Sequence, residues 1–390
     1  MNQLLDRAQQ LFAYTQRIRR DLHRFPELGF QEHRTSGVIA RELENLGLEV
    51  TTGIAETGVV AQIESRHPEP VLMMRFDMDA LPVVEETNAE YASQNPGVMH
   101  ACGHDGHVAI GLTVAHLLKE MRNELNGTVR LIFQPAEEGL DGARRMIAEG
   151  ALGETTPKFA LGAHVWNEKP VGWLGVTPGP MMAAAEIFEV EITGRGGHGA
   201  LPNLAIDPVN AAAQIVVALN AIVARNVSPL QSAVVSVTSI RGGETFNVIP
   251  PKMRLQGTIR TFEPEVRSIV LERFEQIVNG VAASAGCEAN IDLKSLTPAV
   301  VNDAGVAQQV MNSARMILPD STILSDFRTM GSEDMAFFLN EVPGCYIFVG
   351  SANPAKKLDA PHHHPKFDFD EAALTLAAAL LTGAAVDLLS

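Results

Sequence analysis

The sequence predicts an α/β protein of two domains: a discontinuous one with a mixed sheet flanked by helices, and an inserted ferredoxin-like βαββαβ domain. Three observations predict it. The 390-residue chain is longer than the ~250–300 residues at which single cores stop growing. Strand and helix patterns alternate up to Val165 and resume from Ala304, as in a sheet packed between helices. Between them, Glu186–Ile192 alternates acidic and apolar residues, as a strand with one wet face should.

The elements follow in order. Leu4, Leu5, Ala8, Leu11, Phe12, Ile18, Leu22 and Phe25 have near-helical spacing and Pro26 stops the run, predicting one helix over 4–25. A second helix covers 36–46, with Gly47 as its C-terminal cap. Strands are expected at 59–64 and 71–76, a long helix at 108–121, and a strand at 128–133. A helix at 142–149 and a strand at 159–165 complete this half. The insert begins with the strand at 186–192. Its first helix has Asp207 as N-cap and Pro208 at the first helical position, and runs through 211–223. Strands at 232–240 and 252–261, a helix at 264–283 and a strand at 287–293 give the order β-α-β-β-α-β. Helices at 304–316 and 332–339, a strand at 345–350 and a helix from Ala372 to Leu389 close the chain. The expected domains are 1–183 and 297–390 for the discontinuous one, and 184–296 for the insert.

The apolar and charged fractions, 46% and 19%, are those of an ordinary globular protein, and the net charge is −16. That charge would be repelled by nucleic acid and by an anionic membrane, so neither is an expected partner. Cys102, Cys287 and Cys345 are too few, and odd in number, for a disulfide framework. No basic stretch followed by an apolar run opens the chain, and no uncharged run reaches the ~20 apolar residues of a membrane span; the C-terminal Ala/Leu-rich stretch comes nearest. The expectation is a cytoplasmic protein.

Potential chemistry collects at the expected carboxyl ends of strands, where open α/β sheets place ligands. The strand at 71–76 ends in Asp77-Met78-Asp79. His100-Ala101-Cys102-Gly103-His104-Asp105-Gly106-His107 lies in a loop before a helix. The strand at 128–133 runs into Glu137-Glu138, the one from Phe159 ends at His164, and His362-His363-His364 precedes the last helix. Each has a plain structural reading: a capping Asp, a buried Cys, a solvated Glu pair, a surface His run. Their convergence on one sheet edge favours a metal site, because thiolate, imidazole and carboxylate are the ligands zinc and its neighbours take. Adjacent glutamates can divide the work of metal-assisted hydrolysis, one as ligand and the other handling protons.

These residues resemble peptidase family M20. The resemblance runs through Arg75–Pro82, Met99–Asp105, Gln134–Gly139, Gly162–Val165, Gly194–Pro202, Thr245–Pro250, Gly331–Asp334 and Pro361–Glu371, and so spans the chain. Within the family it is strongest to the amidohydrolase branch of hippurate hydrolases, N-acyl-L-amino-acid amidohydrolases and auxin-conjugate hydrolases. The resemblance implies two divalent ions per subunit, zinc, manganese, cobalt or nickel, held by Cys102, His104, Glu138, His164 and His363. It leaves His362 and His364 spare. His100 and His107 then drop out as ligands, and Asp105 is at most an outer partner. Glu137 would be the general base, and Asp79 would orient a ligand from behind. A hydroxide bridging the metals would attack the amide of an N-acyl-L-amino acid. The insert would serve as lid and dimerisation domain of a homo-oligomer, dimer or tetramer. From it, His198 would stabilise the oxyanion, in dimeric relatives across the subunit boundary. Asn247 and Arg260 would hold the substrate's carbonyl and free carboxylate.

The alternatives are a metallo-carboxypeptidase or dipeptidase using the same site and, more distantly, a non-catalytic metal-stabilised binding protein. Gly194-x-Gly196-x-x-Gly199 follows a strand, yet Pro202 interrupts it and the next helix starts near Pro208, so it is not read as a dinucleotide site. The sequence has no Gly-x-Ser-x-Gly and no His-Glu-x-x-His.

Overall fold

The computed structural model describes residues 3–390; Met1 and Asn2, which open the stretch read for a leader, lie outside the described residues. The chain divides into two compact units. The first runs to Gly179 and takes in Val301–Arg328 and Asp334–Ser390; the second is Pro180–Val300 with Thr329–Glu333.

The first unit opens with α1 (Leu4–Gln10), α2 (Phe12–Arg24) and α3 (His33–Asn45), followed by β1 (Val50–Ile54), β2 (Gly58–Glu64) and β3 (Val71–Asp77). Then come α4 (His104–Glu120), β4 (Thr128–Gln134), α5 (Gly142–Ala148), β5 (Phe159–Pro170) and β6 (Trp173–Gly175). Short β7 (Gly179–Met182) falls at the junction. The second unit holds β8 (Ala184–Thr193), β9 (Gly197–His198), α6 (Pro208–Asn226), β10 (Ala233–Arg241), β11 (Val248–Ile249), β12 (Lys252–Thr261), α7 (Pro264–Ser284) and β13 (Glu288–Thr297). After β14 (Val300–Asn302), the first unit resumes with α8 (Ala304–Ile317), β15 (Thr322–Leu324), α9 (Met335–Glu341), β16 (Gly344–Ala352) and α10 (Ala372–Leu388).

The sheet of the first unit has the order β1-β2-β4-β3-β5-β16-β6-β15. It is mixed: β3 is parallel to β4 and β5, and β5 to β16, while β1, β2 and β4 pair antiparallel. Strands β3, β4 and β16 are buried along their whole length, which is why apolar residues fill most of their positions on both faces, with Arg75 and Arg130 as the interruptions. Helix α10 packs on α4, α8 and α1. Nearly every residue of α4 is buried, so the helix that begins at His104 is anchored on all sides.

Several expectations need correction. The run 4–25 forms two helices, because the chain kinks at Leu11, whose N–H is shared between the carbonyls of Arg7 and Ala8. The edge strand β1 was not expected; its burial is intermediate at the ends and exposed between, so no apolar alternation marks it. Helix α4 starts at His104 rather than near 108, placing His104 and Asp105 in its first turn instead of the preceding loop. Strand β5 does not end at His164. Its pairing with β3 stops at Arg75↔Gly162, but β16 continues beside it as far as Ala352↔Pro170. His164 therefore lies in mid-strand, just past the point where its other neighbour has ended.

In the second unit the four antiparallel strands have the order β10-β12-β8-β13, the ferredoxin-like arrangement with α6 and α7 as its helices. Asp207 caps α6 by accepting from the N–H groups of Val209 and Asn210, with Pro208 first in the helix. Among the described helices α6, and not the C-terminal one, has the length and composition of a membrane span. Its Ala211, Ala212, Ile215, Leu219 and Ile222 are buried in the core that also contains Phe188, Val190, Ile192, Met253 and Leu255.

A buried charge cluster ties the first unit together. The fully buried Arg19 guanidinium meets Asp105 at 3.0 Å, Asp368 at 2.5 Å and Glu371 at 3.0 Å. His23 Nδ1 lies 2.8 Å from Asp105 and its Nε2 lies 3.3 Å from Glu85. Burial works against a charged His23, but the Asp105 and Glu85 carboxylates outweigh it and push its pKa up to about 9. Held above the ordinary value of ~6.5, His23 stabilises the fold fully below about pH 6.5, and that contribution is lost as pH rises through about 9. The melting temperature should fall over this window, and His23→Gln should flatten the decline; an unchanged pH profile would contradict the pairing. Arg19→Met takes Asp368 from its buried cation, leaves Asp105 to His23 and Glu371 to Arg20, and should cost ~3–5 kcal/mol in a urea titration.

Candidate metal centre

Three sheet-edge segments and one C-terminal loop supply the candidate ligands. Gly103 lets the first approach. Its φ is +90°, and a Cβ there would stand 2.5 Å from Val165 Cγ2, so only glycine lets the Cys102–His104 turn lie this close to β5. The second segment follows β4, where Ala136 takes φ +56°, and the C-terminal loop carries His363 at φ +64°. Left-handed backbone at residues other than glycine costs energy and persists where its surroundings enforce it. Here Glu32 accepts the Ala136 N–H (3.0 Å), and Ala101 O accepts that of His363 (2.8 Å).

The donors converge. Cys102, His104 and His164 have ligand atoms within 4.8 Å of one another; so do Cys102, Glu138 and His363, and so do His104, Glu137 and Glu138. The five sequence-predicted ligands and Glu137 thus form one continuous cluster. Cys102 Sγ is 3.5 Å from His164 Nε2. His363 Nε2 is 3.2 Å from Glu138 Oε1, an ion-pair distance, without the alignment of a hydrogen bond.

Asp79 braces two of them at once. Its Oδ1 lies 3.2 Å from His104 Nδ1, and its Oδ2 accepts the Glu138 N–H at 3.0 Å. His104 Nδ1 also meets the Asp79 carbonyl at 3.0 Å, which holds a proton on Nδ1 and makes Nε2 the nitrogen that a metal takes once its own proton is displaced. His164 is set the same way, its Nδ1 donating to the Val165 carbonyl at 2.6 Å. His104 Nε2 and Glu138 Oε1 are buried without a hydrogen-bond partner. Buried polar atoms are rarely left so, and a soft or borderline divalent ion is what this thiol, imidazole and carboxylate set suits.

The electrostatics agree. Burial and then the Glu138 carboxylate raise the Cys102 thiol. Contacts with Cys102 and Glu138 push His363 up to about 10. Burial would lower His104, but Asp77, Asp79 and Cys102 hold it well above the ordinary range, whereas burial and the neighbouring His107 and His362 hold His164 well below it.

Other residues at this edge make contacts that were not foreseen. Asp77 accepts from His107 Nδ1 at 2.5 Å and from Arg75 at 2.7 Å, and Arg75 also reaches Gln134 and Asp334. His107 Nε2 accepts the Val165 N–H at 3.0 Å, standing in for the strand that β5 has lost there. His107 belongs to a further donor group with Asp77 and His104, yet both its nitrogens are already used. The His104/His107 spacing of three, one face of a helix, was the available signal. Both nitrogens of buried His100 lack partners, and Asp105 belongs to the Arg19 cluster.

The remaining predicted residues lie in the second unit. His198 sits on β9 opposite Val248, its Nδ1 accepting the Ala200 N–H. Asn247 Oδ1 accepts from Thr245. Arg260, on β12, has a buried Nη1 with no hydrogen-bond partner, and burial lowers its pKa despite Glu186.

Residues 73–387 match the model of peptidase family M20/M25/M40. The chain belongs to this family. It is accordingly a metal-dependent amidohydrolase/peptidase that acts on amide bonds. It is 42% identical to an N-acetylcysteine deacetylase of Bacillus subtilis, over 92% of this chain and 93% of the relative. It is 39% identical to thermostable carboxypeptidase 1 of Saccharolobus solfataricus, over 93% and 92%. Among solved structures, a dinuclear metal binding M20 peptidase of Bacillus subtilis superposes with a TM-score of 0.85 at 36% identity, covering 98% of this chain and 99% of that one.

Two outcomes follow from the donor set. Asp79→Asn removes the charge behind His104 and should weaken divalent-metal affinity ~10–100-fold; unchanged affinity in a chelator competition would contradict the brace. Metal binding must also displace the protons that His104, His363 and Cys102 hold at neutral pH, so affinity should rise as pH climbs toward about 10. Titration calorimetry of the metal-free protein should give heats that depend on the buffer's ionisation enthalpy; buffer-independent heats would count against it.

Proposed function

We propose that this enzyme hydrolyses the amide of N-acyl-L-amino acids, such as hippurate or N-acetyl-amino acids, at two divalent ions held by Cys102, His104, Glu138, His164 and His363. One observation carries the reading: Glu138 shares one donor group with Cys102 and His363 and another with Glu137 and His104. The chain thus offers two overlapping pockets of ligands with a second carboxylate beside them. The ions, zinc, manganese, cobalt or nickel, supply Lewis acidity that lowers the pKa of water and polarises the carbonyl.

Glu137 takes the proton of the attacking water and delivers it to the departing amine. His198 steadies the charge that develops on the carbonyl oxygen, reaching it from a neighbouring subunit of a homodimer, with the second unit as lid and dimerisation domain. Asn247 holds the substrate carbonyl and Arg260 grips the free carboxylate. The unpartnered Arg260 Nη1 supports the last role, because a buried donor without an acceptor is suited to an anionic ligand. The free state of Cys102, Cys287 and Cys345 supports a reducing, cytoplasmic setting. The carboxypeptidase relative keeps a second reading in play, with a peptide bond replacing the N-acyl amide at the same site.

Glu137→Gln should keep its metal and lose ~10²–10⁴-fold in kcat; near-normal turnover would defeat the mechanism. Mixing inactive Glu137→Gln chains with inactive His198→Ala chains should restore activity if His198 acts across the subunit boundary; an inert mixture contradicts that. Amine release from N-acetyl- and N-benzoyl-amino acids should exceed release from C-terminally free dipeptides, and the reverse order would select the carboxypeptidase reading.

A further inference from the structure

His362, which the family resemblance leaves without a task, sits against the proposed metal site. Its Nε2 accepts the backbone N–H of Asn167 at 3.2 Å. A neutral imidazole that accepts at one nitrogen carries its proton on the other, so Nδ1 is the donor. That Nδ1 faces Cys102 Sγ at 3.9 Å. The ring is held in this orientation on several sides. It lies tilted over Trp166 at 5.2 Å and Phe367 at 4.9 Å, and meets His164 edge-on at 5.2 Å. Asn167 also fixes the loop that carries it, donating from its side-chain amide to the carbonyls of Ala360 and Asp368 and accepting from Ser351.

We propose that His362 donates its Nδ1–H to the sulfur of the Cys102 thiolate and so sets how much charge Cys102 presents to the metal. This rests on the reading of Cys102 as a ligand. A thiolate that accepts a hydrogen bond is a weaker electron donor and is held in one orientation, the role that outer partners play for other ligands. His362 is thus a positioning residue, and adjacent histidines divide two tasks: His363 lies with Cys102 and Glu138 in a donor group, while His362 tunes the sulfur from behind.

Cobalt-loaded enzyme tests this through the sulfur-to-cobalt charge-transfer band, with bound cobalt quantified in each sample. His362→Phe keeps a ring against Trp166 and Phe367 but has no donor; His362→Asn keeps an N–H near the Nδ1 position. The band should move to longer wavelength in His362→Phe, because sulfur electrons freed of the hydrogen bond transfer more easily, and return in His362→Asn. If His362→Phe holds no cobalt while His362→Asn does with the wild-type band, the donor is again the requirement. A band unmoved in cobalt-loaded His362→Phe, or moved equally in both variants, overturns the proposal. Absence of the band in the wild-type cobalt enzyme shows instead that Cys102 is not a ligand, and removes the reading beneath it.

Discussion

The carboxylate of Asp79 is the constraint on which the site depends. One oxygen holds His104 at the start of α4, and the other holds the backbone of Glu138 after β4. Helix and loop come from different parts of the chain, and this single side chain fixes their separation and leaves His104 Nε2 and Glu138 Oε1 facing inward. The geometry follows from where β3 stops. Its last strand residue is Asp77, and the chain just beyond supplies Asp79 at the height where β5 presents His164 with one flank open. His107 closes that flank by taking the Val165 N–H. The sheet edge thereby offers lone pairs without losing its backbone hydrogen bonds, which buried backbone must keep.

Charge is packed behind this edge at a density that only mutual pairing sustains. Arg75 is buried among Asp77, Asp334 and Gln134, and Arg19 among Asp105, Asp368 and Glu371. Asp105 directly follows His104, and Asp368 follows the loop of His362 and His363. The Arg19 cluster therefore links helix α2 to two of the candidate ligand segments. Such buried pairs are weak sources of net stability but strongly penalise any arrangement that leaves one member alone. That makes them suited to holding metal donors in one geometry.

Much of this was legible in the sequence. Buried parallel strands write themselves as apolar runs, Asp207-Pro208 marks the start of α6, and the Asp79, Cys102–His104 and Glu137–Glu138 segments share an edge that strand ends foretell. What was not legible depends on tertiary contact. Strand β1 is exposed along most of its length, and without an apolar face nothing distinguishes Val50–Ile54 from a loop. The continuation of β5 past His164 is set by β16, nearly two hundred residues later in the chain. Gly103 and Gly106 disguise the first turn of α4, whose helical form comes from packing on α2 and α10 rather than from propensity. Nothing in the helical spacing singles out Arg19 or His23, since no local pattern announces carboxylates arriving from Asp105, Asp368 and Glu371. Of the three adjacent histidines, the family resemblance singles out His363; the place of His362, tilted against Trp166 and facing Cys102, depends on tertiary contact.

The central claim is that two divalent ions sit among Cys102, His104, Glu138, His164 and His363, with Glu137 beside them. Anomalous diffraction from crystals of the metal-loaded protein, collected at the metal's absorption edge, tests it most directly. The account predicts two peaks a few ångström apart, both within bonding distance of those five side chains, with Asp77 and His107 outside the coordination sphere. A single peak, or peaks ligated by Asp77 and His107, would contradict it.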